Sequence, residues 1–460
     1  MMHDTSKKRM FNSFGIKYFL FFIALLILIS INSCREEERE VFKQKRERVK
    51  PGVEVFLEKH LASVKGKRLG LITNPTGVDS NLRSVAELFS EHEEIKLVAL
   101  YGPEHGVRGN AQAGEYVPFY FDEKFGIPVF SLYRQSIKPQ PGMLKNIDEY
   151  MRTFDTTDAG KIPDKKMIQD LEVMVFDVQD VGTRIYTYVS TMAFAMEACA
   201  EAGIEFIVLD RPNPINGVSM EGPVLNLGEK SEEGSADEAS SFVSLFPVPV
   251  RHGMTAGELA KLYNDVFLKN KALLTVIPVE GWKRKMWYDE TGLPWVIPSP
   301  NMPTLETATV YPGQVFLEGT NLSEGRGTTK PFELFGAPWI DGHELTKRLN
   351  SLALEGVIFR EAWFTPVFSK YQGELCRGAQ LHVFDRNSFK PFETTLHILK
   401  TVIEMYPDKF SFYPDYFDKI MGSSSIRLSL LEGAEIREIF AGIKKELEDF
   451  SKMRKKYLIY

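Results

Sequence analysis

Short apolar runs alternate with amphipathic segments along most of the chain. The runs at 68–74, 97–101, 127–132, 173–176, 206–209 and 273–279 predict strands buried on both faces. Segments at 55–61, 84–91, 186–202, 255–266 and 435–456 predict helices, with Ser84 and Thr255 as N-caps and Gly203 as a stop signal. Strands that alternate with helices in this order predict an α/β fold built on a mostly parallel sheet.

Composition shifts divide the chain further. The proline-rich stretch 298–304 is unsuited to a helix or a central strand, so we place a domain boundary there. The sequence then predicts a larger domain at 52–304 and a smaller α/β domain at 305–460. Residues 217–241, rich in Gly, Ser and Glu, predict a long surface loop, and 34–51 predict a charged tether.

Polar side chains follow each central strand. They are Asn74, the pair Glu104 and His105, the group Asp177, Gln179 and Asp180, and the pair Asp210 and Arg211. Because ligands bind at the carboxyl ends of strands in open α/β sheets, we expect a site at this edge. One such cluster alone is equally well explained as a helix cap or a solvated turn.

Carboxylates and arginines dominate the predicted site. The carboxylates are Glu104, Asp177, Asp180, Asp210 and Glu324, and the arginines are Arg108, Arg184, Arg211 and Arg326. Glycoside hydrolysis uses two carboxyl groups, one of them a protonated acid. Glu104, between an apolar run and two glycines, is a candidate for a desolvated acid. The arginines suit an anionic substrate, although each could instead form a structural ion pair, above all Arg184 with Asp180.

Several other chemistries lack their motifs. The stretch 325–330 does not have the order of a phosphate-binding loop, no G-x-G-x-x-G follows the first strand, and neither H-E-x-x-H nor G-x-S-x-G occurs. The cysteines at 34, 199 and 376 are too scattered for a metal site. A net charge of −6 argues against nucleic acid as a partner. We therefore expect no cofactor and no metal.

The first 34 residues have the pattern of an export signal. Basic residues at 7–9 precede an apolar run at 18–31, and Ile31-Asn32-Ser33-Cys34 resembles a bacterial lipobox. This predicts a signal peptide at 1–33, lipidation of Cys34, and a protein held by its lipid at the membrane of the cell envelope, in the periplasm or at the outer membrane. A plain signal peptide or a signal anchor is the alternative.

Seven motifs occur in a fixed order: Asn74-Pro-Thr-Gly, Gly102-Pro-Glu-His-Gly, Asp177-Val-Gln-Asp-Val-Gly-Thr-Arg-Ile-Tyr-Thr-Tyr, Leu209-Asp-Arg-Pro-Asn-Pro, Arg251-His-Gly-Met-Thr, Pro298-Ser-Pro-Asn-Met-Pro and Glu318-Gly-Thr-Asn-Leu-Ser-Glu-Gly-Arg-Gly-Thr. Over residues 52–460 the chain resembles the bacterial exo-β-N-acetylmuramidases of the NamZ type. The resemblance implies a Rossmann-like domain, a smaller C-terminal domain, an active-site cleft between them, and release of N-acetylmuramic acid from non-reducing ends of peptidoglycan fragments.

The resemblance also implies roles for single residues. Glu104 is the catalytic carboxylate, and its partner is open among Glu324, Asp177 and Asp210. The predicted substrate-binding residues are Asn74, His105, Arg108, Gln179, Arg184, Asp210, Arg211, His252, Asn301, Asn321 and Arg326. Arg326, or failing it Arg211, is expected to bind the lactyl carboxylate of the sugar. A binding lipoprotein without turnover is the rival function, and a peptidase or amidase lacks a visible nucleophile or metal set.

Overall fold

The computed structural model describes residues 48–133, 138, 143, 171–225 and 242–460. The predicted signal peptide, Cys34 and most of the tether lie outside the described residues. Within them, no helix is both long and apolar enough to cross a membrane.

The strands are β1 Arg68–Thr73, β2 Lys96–Gly102, β3 Tyr120–Asp122, β4 Ile127–Ser131, β5 Val173–Asp177, β6 Glu205–Leu209, β7 Glu221–Val224, β8 Pro249–Arg251, β9 Leu273–Ile277, β10 Leu334–Ala337, β11 Val357–Phe364 and β12 Cys376–Val383. The α-helices are α1 Gly52–Lys59, α2 Val85–Glu91, α3 Tyr188–Ala202, α4 Ala256–Leu262, α5 Leu305–Gln314, α6 Gly342–Ser351, α7 Pro391–Met405, α8 Pro414–Met421, α9 Ser425–Leu431 and α10 Ile436–Arg454. A 3₁₀ turn, Val315–Gly319, follows α5.

A seven-stranded sheet carries the N-terminal half, in the order β3-β4-β2-β1-β5-β6-β9. All its pairings are parallel except that of β3 with β4. Successive side chains point to opposite faces of a strand. Leu69 and Leu71 accordingly belong to one apolar cluster, while Ile72, Met174 and Phe176 belong to another. The sheet is thus buried on both faces, as the apolar runs predict.

The C-terminal half has its own antiparallel sheet, in the order β10-β12-β11. Helix α6 packs on β11 and β12, and α7 packs on α5. The fold class is therefore α/β, with a mostly parallel sheet followed by a smaller α/β part. The predicted domain boundary at 304 falls at Thr304, the N-cap of α5.

The six predicted strands are confirmed to within two residues at each end. Ser84 and Thr255 are N-caps with complete capping boxes, and Gly203 ends α3 in the left-handed conformation. The prediction of a continuous loop from 217 was wrong for 221–224, because these residues form β7 and pair with β8. That ribbon depends on a partner about 28 residues further on, which the local composition does not reveal.

Candidate active site

The turn after β2 has a tightly packed backbone that requires glycine at two positions. A Cβ on Gly102 would lie 2.8 Å from the backbone nitrogen of Val107 and 3.0 Å from the Cα atom of Gly106. His105 and Gly106 both have positive φ, at 72° and 76°. This tight reversal lifts Glu104 out of the strand at the carboxyl edge of the sheet.

Glu104 is half-buried and held at both carboxylate oxygens. The Thr187 hydroxyl donates to Oε2 at 2.7 Å, and the backbone N–H of Gly114 donates to Oε1 at 3.2 Å. Thr187 is the N-cap of α3, yet its side chain makes no capping hydrogen bond. Its hydroxyl is used on Glu104 instead, so the start of α3 fixes the orientation of the carboxylate.

His105 is buried beside Glu104. Its Nδ1 lies 2.8 Å from the carbonyl oxygen of Ala111. A carbonyl can only accept, so Nδ1 carries the proton and the neutral ring has Nε2 as an acceptor. Burial lowers the pKa of His105, and the opposite effect of Glu104 is smaller. The ring is therefore held neutral as one tautomer.

A cavity of about 470 Å³ opens at this edge. It lies between the two halves of the chain, because residues before and after 304 both line it. The lining residues that carry polar or aromatic groups are Glu104, His105, Tyr133, Tyr186, Thr187, Ser299, Asn301, Tyr311, Glu318, Glu324, Arg326, Phe332, Ser369, Lys370 and Tyr416. Its volume is within the range of small-molecule sites, about 300–1,000 Å³.

Arg326 and Glu318 form an ion pair in the C-terminal wall of the cavity. Arg326 Nε and Nη2 both donate to Glu318 Oε1, at 3.1 and 2.6 Å, and the Tyr416 hydroxyl donates to Glu318 Oε2 at 2.9 Å. The guanidinium also lies over the Phe332 ring, 5.0 Å from its centroid. Burial lowers the pKa of Arg326, but Glu318 and Glu324 outweigh it and hold that pKa above its ordinary value.

Glu324 lies deeper in the same wall. Its Oε1 is 3.5 Å from Arg326 Nε, and its Oε2 is 3.1 Å from Lys370 Nζ. The three ammonium protons of Lys370 are directed at the carbonyl oxygens of Leu317, Glu318 and Leu322. Glu324 therefore acts as a buried counter-ion to two cations.

Backbone strain is concentrated around the cavity. Among the described residues, seven non-glycine residues have positive φ. Three of these, His105, Phe332 and Ser369, line the cavity, and Tyr371 follows Lys370 in the same loop. Such conformations cost energy and persist where the surrounding structure enforces them, which is typical of functional sites.

The cavity brings together five of the residues predicted from sequence: Glu104, His105, Asn301, Glu324 and Arg326. The others lie elsewhere. Asp177 is fully buried and paired with Arg211 Nε, and Arg211 also donates to the carbonyl oxygen of Val78 at 2.8 Å. Burial raises the pKa of Asp177, and the effect of Arg211 opposes this. Neither residue lines the cavity.

Asp210 is enclosed by donors. The hydroxyls of Thr255 and Tyr460 donate to its Oδ2, each at 2.7 Å, and the N–H groups of Arg211 and Gly257 donate to its Oδ1 at 3.0 and 2.8 Å. Burial raises its pKa to about 6, against the effect of these hydrogen bonds. Asp210 thus anchors α4 and the residues after α10 to the end of β6.

Arg184 has no carboxylate partner among the described residues. It donates to four backbone carbonyl oxygens, those of Pro223, Val248, Ile420 and Met421, at 2.7–3.1 Å. Burial lowers its pKa to about 9. The expected ion pair with Asp180 was therefore wrong, and Arg184 ties the end of α8 to the N-terminal half.

The remaining predicted residues also make contacts within the fold and do not line the cavity. Asn74 donates to the carbonyl oxygen of Pro298, and Gln179 Nε2 donates to the carbonyl oxygens of Asp180 and Pro212. Arg108 pairs with Asp122, and Asn321 bonds Lys409 and Ser411. His252 is fully buried, with Nε2 at 3.8 Å from Asp180 Oδ2.

Sequence reasoning missed Thr187, Glu318, Lys370 and Tyr416 as site residues. Thr187 and Glu318 are in two of the collinear motifs, so their presence there was an available signal. Lys370 and Tyr416 are outside those motifs, and only the tertiary structure places them at the cavity.

Comparison with known proteins finds relatives that match most of the chain. Over 417 residues the chain is 50% identical to the peptidoglycan β-N-acetylmuramidase NamZ of Bacillus subtilis (strain 168), covering 90% of this chain and 92% of that protein. Two crystal structures of DUF1343 family proteins from Bacteroides fragilis NCTC 9343 each cover 90% of this chain and 99% of their own. Their TM-scores are 0.77 and 0.65, at 38% and 29% identity.

The family match spans nearly the whole described chain. Residues 69–162 and 151–306 match the N-terminal part of the family described as exo-β-N-acetylmuramidase NamZ, and residues 309–460 match its C-terminal part. The chain therefore belongs to the NamZ exo-β-N-acetylmuramidase family.

Proposed function

We propose that this protein is a glycoside hydrolase that releases N-acetylmuramic acid from the non-reducing ends of peptidoglycan fragments. The observation that carries the proposal is one cavity that contains Glu104 on one wall and Glu318, Glu324 and Arg326 on the other. Most glycoside hydrolases use two carboxyl groups that face one site. The 50% identical relative named as a peptidoglycan β-N-acetylmuramidase supports the same substrate.

In this proposal Glu104 is the general acid. It delivers a proton to the glycosidic oxygen as the bond to the anomeric carbon breaks. Thr187 and Gly114 hold the carboxyl group, and His105 closes the turn beside it. Asp177 and Asp210, which are enclosed by their own partners, have structural roles in this proposal.

Arg326 is the proposed partner of the lactyl carboxylate. Its Nε and Nη2 are used on Glu318, while Nη1 donates no hydrogen bond found within the described part of the chain. A guanidinium can bind a second carboxylate through such an edge. Arg211, the other candidate, is buried against Asp177 and outside the cavity, which favours Arg326.

The test is incubation of the purified protein with a chromogenic β-N-acetylmuramide and with the matching N-acetylglucosaminide. We expect release of the chromophore from the first substrate and much less from the second. Saturable binding of the sugar without any turnover would instead identify a binding lipoprotein.

We further propose that the protein is exported and anchored in the cell envelope by a lipid on Cys34. Support comes from the basic residues at 7–9, the apolar run at 18–31 and the lipobox-like Ile31-Asn32-Ser33-Cys34. Metabolic labelling with an alkyne fatty acid should mark the wild-type chain in the membrane fraction. Labelling that persists in Cys34→Ser would contradict the proposal.

A further inference from the structure

We infer that Glu318, and not Glu324, is the second catalytic carboxylate in the cavity. The inference rests on the proposed glycosidase function and deepens it. Both residues line the cavity, but they differ in access. The Glu318 side chain is 15% exposed and that of Glu324 is 2% exposed.

Glu324 presents less of its carboxylate group to a substrate than Glu318 does. Its Oε2 has essentially no accessible surface and accepts no hydrogen bond within the described residues, although Lys370 Nζ lies 3.1 Å away. Its carbonyl oxygen accepts from the N–H of Phe332 at 2.7 Å, which fixes its backbone. A sugar would therefore meet Glu324 only through Oε1, which lies 3.5 Å from Arg326 Nε.

Glu318 has one position left for a further hydrogen bond. A carboxylate oxygen has about two lone-pair directions. Arg326 occupies both at Oε1 with Nε and Nη2, whereas Tyr416 occupies one at Oε2. Oε2 therefore has one lone pair available, and it is the atom we assign to the chemistry.

The backbone under Glu318 is held rigidly. Glu318 lies in the 3₁₀ turn Val315–Gly319. Lys370 Nζ donates to the carbonyl oxygens of Leu317 and Glu318, at 2.8 and 3.1 Å. A reactive group that is positioned before the substrate arrives needs little reorganisation during the reaction. Glu324, as the counter-ion of Lys370 and Arg326, is a positioning residue for this arrangement.

The assigned step is proton acceptance from water. The bond between the anomeric carbon and the glycosidic oxygen breaks, and that oxygen takes the proton of Glu104. A water oxygen bonds to the carbon, and the proton it loses goes to Glu318 Oε2. Solvent then returns one proton from Glu318 to Glu104, so the enzyme is regenerated and one water is consumed.

The experiment compares five proteins on a chromogenic β-N-acetylmuramide: wild type, Glu318→Gln, Glu324→Gln, and the variants Glu318→Ala and Glu324→Ala, each of the last two with and without sodium azide. Gln at 318 can still accept from Arg326, so it preserves the packing while it loses the basic oxygen. We expect kcat to fall about 100-fold or more in Glu318→Gln, in line with the usual contribution of general base catalysis. Glu324→Gln should retain at least about a tenth of the activity. Azide should partly restore turnover of Glu318→Ala and yield the glycosyl azide.

The outcomes separate the two proposals. An inactive wild type would refute the glycosidase function itself. An active wild type with a Glu318→Gln variant within tenfold of it would overturn only the assignment of Glu318, as would azide rescue of Glu324→Ala in place of Glu318→Ala. Thermal unfolding of each variant shows whether a loss of activity reflects a loss of fold.

Discussion

The hydrogen bond from Thr187 to Glu104 gives the sharpest test of how the cavity works. Thr187→Val keeps the shape of the side chain and removes the hydroxyl that holds Oε2 at 2.7 Å. Glu104 must be protonated to act as an acid, and a hydrogen bond between neutral groups contributes about 0.5–1.5 kcal/mol. Since about 1.4 kcal/mol corresponds to a factor of ten in rate, we expect kcat/KM to fall about 2- to 10-fold.

The stability of the variant distinguishes this role from a structural one. Because the Thr187 hydroxyl does not cap α3, its removal should change the Tm by little. The assay is initial-rate kinetics on a chromogenic N-acetylmuramide, with thermal unfolding alongside and Thr187→Ser as the matched control that retains the hydroxyl. The reasoning is refuted if Thr187→Val keeps the wild-type rate, or if Thr187→Ser loses as much activity as Thr187→Val.

Three further predictions concern charged groups. Arg326→Ala should weaken turnover of the N-acetylmuramide at least about tenfold more than turnover of the matching N-acetylglucosaminide; equal losses would contradict the lactyl contact. Arg184→Lys cannot reach two pairs of carbonyl oxygens, so the free energy of unfolding should fall by about 2 kcal/mol in urea titrations, and an unchanged midpoint would argue against this. Burial lowers the pKa of His252 to about 3 from 6.5, so the unfolded chain binds more protons in that window and His252 makes stability rise with pH. Burial raises the pKa of Asp180 to about 7 from 3.8, so Asp180 makes stability fall as pH rises between these values. Between pH 4 and 6.5, Asp180→Asn should therefore make the free energy of unfolding rise more steeply with pH than it does in wild type. His252→Gln should instead make the free energy of unfolding fall as pH rises. Changes of the same sign in the two variants would contradict the opposite pKa shifts of Asp180 and His252.

The sheet could be predicted because its signals are local. The strands β1, β2, β5 and β6 are apolar runs bounded by turn residues, and burial on both faces requires no more than that. The capping boxes at Ser84 and Thr255 are also complete within four residues. The β7–β8 ribbon escaped prediction because its two strands recognise each other only across a long connection.

The site was predicted in part for the same reason. Every central strand ends in polar residues, but among the described polar residues that directly follow β1, β2, β5 and β6, only those in the turn after β2 line the cavity. Asp177 is closed by Arg211, and Asp210 is closed by Tyr460, which is 250 residues away in the chain. A sequence shows which residues can ionise, but it does not show which of them are already paired with each other.

The C-terminal wall of the cavity is a second case in which the sequence does not show which carboxylates are already paired. Glu318 and Glu324 are six residues apart in one motif, and their chemistry as residues is identical. They differ in their partners: Lys370 pairs with the carboxylate of Glu324, whereas the Tyr416 hydroxyl orients the carboxylate of Glu318. The prediction from sequence that Glu324 is the partner of Glu104 therefore could not take into account which of the two carboxylates is already paired with Lys370.

The role of Glu104 is the central claim, and its most direct measurement is the dependence of turnover on the leaving group. Aryl N-acetylmuramides with leaving-group pKa values from about 5 to about 10 are hydrolysed by wild type and by Glu104→Gln. A general acid matters most when the leaving oxygen is basic. We therefore predict that Glu104→Gln retains measurable activity on the most acidic phenols and loses it steeply as the leaving group becomes more basic. A Glu104→Gln variant that hydrolyses the poorest leaving groups as well as the wild type does would contradict the account.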